Sequence, residues 1–168
     1  MSASAQPVQA LPAQDLLKII YARLQPFVET VQKGYLSIAR DPHEIIELLG
    51  QAPGRFRVVL SWEGEKPVGH KDSGIVEHEF HAVVSHNRGL SIQQGANLFI
   101  ARGDDPPLIV LVASVRELLR GLQFPKDSTS VTLEYAGARP IEIDGSPIDA
   151  FTLAWKLTAA VPAPILQP

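Results

Sequence analysis

Apolar positions along the chain change period several times, and each change marks a structural element. In Ala13–Gln25, Leu16, Leu17, Ile20, Tyr21 and Leu24 recur at the spacing of an amphipathic helix, which Pro26 should end or kink. Phe27–Gly34 reads as a short helical continuation. Asp41-Pro42 then offers an N-cap followed by proline at the first helical position, with Glu44 three residues after Asp41. That helix should stop at Gly50, and Pro53-Gly54 marks a turn. Arg55–Glu63 switches to strict alternation, with Phe56, Val58, Leu60 and Trp62 on one side, as in a half-buried strand. Gly64–Gly74, with three glycines, Pro67 and several charges, reads as a long hairpin loop. Ile75–His86 is the returning strand, and Asn87-Arg88-Gly89 should end it.

Gly89–Gly103 has apolar residues without a period and is expected to be an ordered crossover. Asp105-Pro106-Pro107 predicts the start of a helix that runs to about Leu122 with the stripe Leu108, Leu111, Val112, Val115, Leu118, Leu119 and Leu122. Val131–Tyr135 reads as a strand and Gly137–Pro147 as a turn-rich connection with a short extended piece at Ile141–Ile143. Ala150–Ala160 is the best alternator, with Phe151, Leu153, Trp155 and Leu157 inward and the small, polar Thr152, Ala154, Lys156 and Thr158 outward. Such an outward face suits contact with a neighbouring protein. Strand pairs joined by hairpins, with helices packed on one face, predict an α+β domain with a mostly antiparallel sheet over 13–160. Residues 1–12 and the Pro-rich 161–168 are expected to be arms.

Composition narrows the chemistry. The chain has 168 residues, one domain's worth, with 15 Lys+Arg, 18 Asp+Glu, a formal charge of −3 and no cysteine. The missing thiols exclude disulfide scaffolds, thiolate metal sites and a cysteine nucleophile. The charge argues against a protein that grips nucleic acid over its whole surface. The longest apolar stretch, Leu108–Val115, is far below the roughly 20 residues of a membrane span. The N-terminal residues carry no basic-then-apolar secretory pattern, so a cytoplasmic chain without a membrane partner is expected.

No constellation points to catalysis. His78, His81 and His86 lie close in sequence, but alternation puts His81 on the face opposite the other two. His78 and His86 are eight residues apart, about 26 Å along a strand. One ion cannot bridge them, and surface or interface histidines are expected instead. Serine-nucleophile motifs are absent, and Asp104-Asp105 would repel phosphate from the nearest glycine turn. No catalytic residue, metal or cofactor is expected.

The order of elements from the second helix onward resembles that of the tail terminator proteins of long-tailed bacteriophages. The pieces that carry the resemblance are Phe56–Glu63, Ile75–His86 followed by Asn87-Arg88-Gly89, the helix opened by Pro106-Pro107-Leu108, and the closing strand Ala150–Leu157. The resemblance covers roughly 13–161. The resemblance implies a structural role at the head-proximal end of a virion tail, assembled in the host cytoplasm. It implies a homo-hexameric ring that caps the tail-tube protein, stops tube growth, offers a joining surface to the head–tail connector or neck protein, and lets DNA pass through its lumen. It makes Glu65, Lys66, Pro67, Val68, His70, Lys71 and Asp72 of the hairpin, with Pro162 and Pro164, the candidate contacts with neighbouring subunits or tube. Another head–tail connector, or a small α+β enzyme or ligand-binding protein built around the histidine-bearing strand, is the alternative.

Overall fold

In a computed structural model, the described residues are 13–50, 56–70, 74–87, 106–122, 124, 133–143, 146 and 148–160. The expected arms, Pro53-Gly54, Lys71, Asp72, Arg88-Gly89, the Gly89–Gly103 crossover, Asp105, Val131, Asp144-Gly145, Pro162 and Pro164 lie outside them.

Helix α1 (Ala13–Gln25) buries Leu16, Leu17, Ile20 and Leu24, the predicted stripe. Pro26 does not stop the helical path but widens it into a π-type turn, Pro26–Val31, in which Gln32 N–H donates to Phe27 O at 2.9 Å. The missing proline N–H suits that change of hydrogen-bond ladder. The chain then enters β1 (Tyr35–Ile38), a four-residue strand that the hydrophobic pattern does not announce. In α2 (Pro42–Gly50), Asp41 Oδ1 accepts from His43 N–H at 2.9 Å and Glu44 N–H at 3.1 Å. Glu44 reaches back to Arg40 rather than to the N-cap residue, so the capping box is displaced by one position.

Strands β2 (Phe56–Pro67) and β3 (Ile75–Asn87) form the long hairpin, and β4 (Glu134–Ile141) pairs with β5 (Ile148–Ala160). The sheet order is β1-β2-β3-β5-β4, antiparallel except for the parallel β1/β2 pair. Helix α3 (Leu108–Leu119) starts at Pro107, whose carbonyl accepts from Val110 and Leu111 N–H. Its start therefore lies two residues beyond the expected Asp105 cap, and no side chain among the described residues caps it. The result is the expected α+β fold with a mostly antiparallel sheet.

Register sorts the side chains into two faces, because directly paired residues point the same way. Val58, Val84 and Phe151 share one face, as do Leu60, Ala82 and Leu153. Helices α1 and α3 cover this face through Leu16, Ile20, Leu24, Leu111, Val115 and Leu119, forming the main core. The opposite face is not left bare, however. Val59, Val83, Ile148 and Ala150 pack there with Leu49 of α2 and Ala39. This is why Phe56–Ser61 are all buried, and why helices stand on both sides at that end of the sheet. The other half of that face carries no helix among the described residues.

Candidate interaction surface

The hairpin differs from the expected long loop. Strand pairing continues past Gly64 to Pro67, with Glu65 opposite His78, Lys66 opposite Glu77, and Pro67 opposite Val76. A β-bulge between Trp62 and Gly64 accommodates the extra residue, Glu63, and Gly64 takes φ 122°, a conformation glycine adopts without strain. Val68 N–H donates to Ile75 O at 2.9 Å, so the ladder extends one residue beyond Pro67. Of the predicted contact residues, Glu65, Lys66 and Pro67 thus sit on a strand, while Val68 and His70 lie at the exposed turn. Trp62, Val68 and Ile75 are large apolar side chains left about 40% exposed along the same ribbon.

Two charge groups organise the half of the sheet that lacks a helix. Lys66 Nζ and Lys156 Nζ both approach Glu77 Oε1, at 3.0 and 3.1 Å, from the strands on either side of β3. Hydrogen bonds from Lys66 and then Lys156 hold the Glu77 carboxyl below its ordinary pKa. Next along the face, His81 sits between two carboxylates, Nε2 at 2.9 Å from Glu79 and Nδ1 at 3.6 Å from Glu63. Ser61 Oγ donates to the same Glu63 at 2.6 Å. Beside them, Gly137, Thr152 and Ala154 floor a shallow groove of about 440 Å³, rimmed by Glu79, His81, Arg139 and Lys156. The small floor residues agree with the expected small, polar outer face of β5.

The histidines divide as alternation requires, but not as surface groups. His78 and His86 are only 6% and 5% exposed and lie on the core-facing side. His78 is wedged between the Trp62 and Phe80 rings, with Nδ1 3.5 Å from Glu65 Oε2. Burial lowers its pKa, against a smaller opposing pull from Glu65. The two nitrogens of His81 face different carboxylates, so this cluster does not converge on one ion. Among the described residues no group of three His, Asp or Glu side chains is placed to hold a metal.

Two features escaped the sequence pattern. Arg57 is 7% exposed, stacks 5.2 Å over the Tyr35 ring, and has its pKa lowered by desolvation. An aromatic row, Trp62–Phe80–Trp155–Tyr135, crosses four strands in register, its ends exposed and its middle buried. A second bulge, between Tyr135 and Gly137, ends that row on β4 just as the first ends it on β2. The alternation of each strand carried this signal, but only the register aligns the rings.

No protein-family model and no curated protein sequence matches the chain. A chain from the virion of a native gene transfer agent particle shares its fold, with a TM-score of 0.52 over 84% of this chain and 91% of that one. The two are 16% identical, so the likeness is one of fold.

Proposed function

We propose that this chain is a non-enzymatic structural protein of a phage-like virion, and within that class a tail terminator. The observation that carries the reading is the fold shared with a virion chain over 84% of this chain and 91% of that one. In this reading six copies close into a ring through heterologous contacts, cap the tail tube, and present the opposite side to the head–tail connector. The tip of the β2–β3 hairpin carries Glu65, Lys66, Pro67, Val68 and His70, with Lys71 and Asp72 following in sequence. In this reading these hairpin residues, with Pro162 and Pro164, supply the subunit and tube contacts. A net charge of −3 suits a lumen that lets DNA pass, since every neutralised phosphate would add counterion-release affinity.

Sedimentation or native mass spectrometry at micromolar concentration tests the assembly. The expected species is a ring of six times the 18.3 kDa chain, or a smaller species that closes into that ring on tube ends. Val68→Asp, at the exposed turn, should weaken the ring or its seating on the tube without unfolding the chain. A strict monomer that binds no tube end contradicts the proposal. A ring that binds only the head connector would move it to a neighbouring layer of the same assembly.

A further inference from the structure

A second cavity, of about 490 Å³, opens on the other face of the sheet, between the last turn of α3 and the β4/β5 edge. We infer that it binds a carboxylate carried beside an apolar or aromatic group. The inference does not depend on the ring reading.

The walls supply the apolar part. Leu133 is buried, the Tyr135 ring is 42% exposed, and the Trp155 ring lies 5.0 Å from it. The polar groups are almost all donors. Arg116 holds its guanidinium 5.9 Å over the Tyr135 ring, and Arg120 stands one helical turn further on. Their one shared acceptor is Glu117, which takes Arg116 Nε at 3.3 Å on one oxygen and Arg120 Nη1 at 3.2 Å on the other. Among the described residues, two cations against one carboxylate leave one positive charge and several guanidinium N–H groups uncommitted. The Trp155 ring lines the cavity, and its indole N–H, buried beneath that surface, has no acceptor among the described residues, which makes its resonance a sensitive reporter of the site.

Basic residues in the last turn of a helix ordinarily serve its orphan carbonyls. Here those carbonyls are already taken. Arg116 O and Glu117 O accept from Arg120 N–H, Leu118 O from Arg23 Nε at 2.9 Å, and Leu119 O from Leu122 N–H at 3.2 Å. The arginines are therefore surplus to the helix and available to a ligand. One net positive charge matches a monoanion, and the planar guanidinium fork matches a carboxylate.

The test follows the Trp155 indole ¹H–¹⁵N resonance in the full-length protein. Trp62, on β2, serves as the internal reference. N-acetyl-L-phenylalanine should shift Trp155 saturably and leave Trp62 in place, while its primary amide should bind about tenfold more weakly. Arg116→Gln and Arg120→Gln, both on the exposed helix surface, should each weaken the acid by about five- to tenfold. An acetyl-Gly-Ser-Gly-Phe peptide with a free C-terminus separates the sources. Tighter binding than the single amino acid assigns the site to a partner's chain end, and equal binding assigns it to a small free acid. No saturable shift up to the solubility limit, equal binding of acid and amide, or indifference to both arginine variants overturns the inference.

Discussion

Gly34 and Gly50 offer the same substitution with opposite expected signs. Gly34 enters β1 beside the start of β2, and a Cβ there would lie 2.6 Å from Phe56 O and 2.8 Å from Phe56 Cδ1. The closer atom belongs to the backbone of a paired strand, so relief requires β1 to move away from β2, not a side chain to rotate. Overpacking of this kind costs about 1–3 kcal/mol, and a backbone clash places Gly34→Ala near the upper half of that range. Gly50 ends α2, and a Cβ there meets no atom of the described residues within 4 Å. Gly50→Ala should gain up to about 1 kcal/mol, because alanine loses less backbone entropy on entering a helix. Urea titration followed by tryptophan fluorescence, at one protein concentration to hold any assembly constant, reads both. For a chain of this size Gly34→Ala should lower Tm by about 2–4 °C per kcal/mol lost. A Gly34→Ala protein within about 0.5 kcal/mol of the parent would refute the close strand approach, and a Gly50→Ala protein destabilised by about 1 kcal/mol or more would refute the open space at the end of α2.

Other substitutions probe separate parts of the fold. Leu119→Ala, at the fully buried last position of α3, should cost about 2–5 kcal/mol in the same titration. Asp41→Ala removes the acceptor of two backbone N–H groups and should cost about 1 kcal/mol, with Asp41→Asn recovering most of it. His78 has a folded-state pKa below its unfolded value near 6.5, so the unfolded chain binds the proton first. Its contribution should be complete above about pH 6.5 and decline as the pH falls through the folded value, a slope that His78→Phe should remove from a stability–pH profile. Glu77, whose carboxyl is held low by two lysines, should contribute above its ordinary carboxylate range and lose that contribution at lower pH. Glu77→Gln should flatten the acid limb of the same profile.

Elements whose hydrophobic period matches their geometry were readable in the chain: α1, α2, α3, the body of the β2–β3 hairpin, and β5. The remainder failed for physical reasons. Strand β1 has only four residues and pairs in parallel, so Tyr35–Ile38 is too short to display alternation. Gly64 and Pro67 read as loop residues, yet the first resumes the ladder opposite Glu79 just after a bulge and the second ends the strand. Gly137 and Pro140 read as breakers in the same way, but β4 is an edge strand, where a bulge and a proline are tolerated. The small outer face of β5 was legible residue by residue. Its partners Glu77, Glu79 and Lys66 were not, because cross-strand register brings them together. Burial of His78 also depends on neighbours, Trp62 and Phe80, that its own strand does not supply alone.

The terminator reading rests on what happens at the end of a growing tube. Purified protein is added to the polymerising tail-tube protein of the same particle, and tube lengths and ends are read by electron microscopy. The proposed function predicts that tubes stop growing, that a six-fold ring sits on one end only, and that Val68→Asp loses the effect. Tubes that elongate unchanged beside uncapped ends would contradict it.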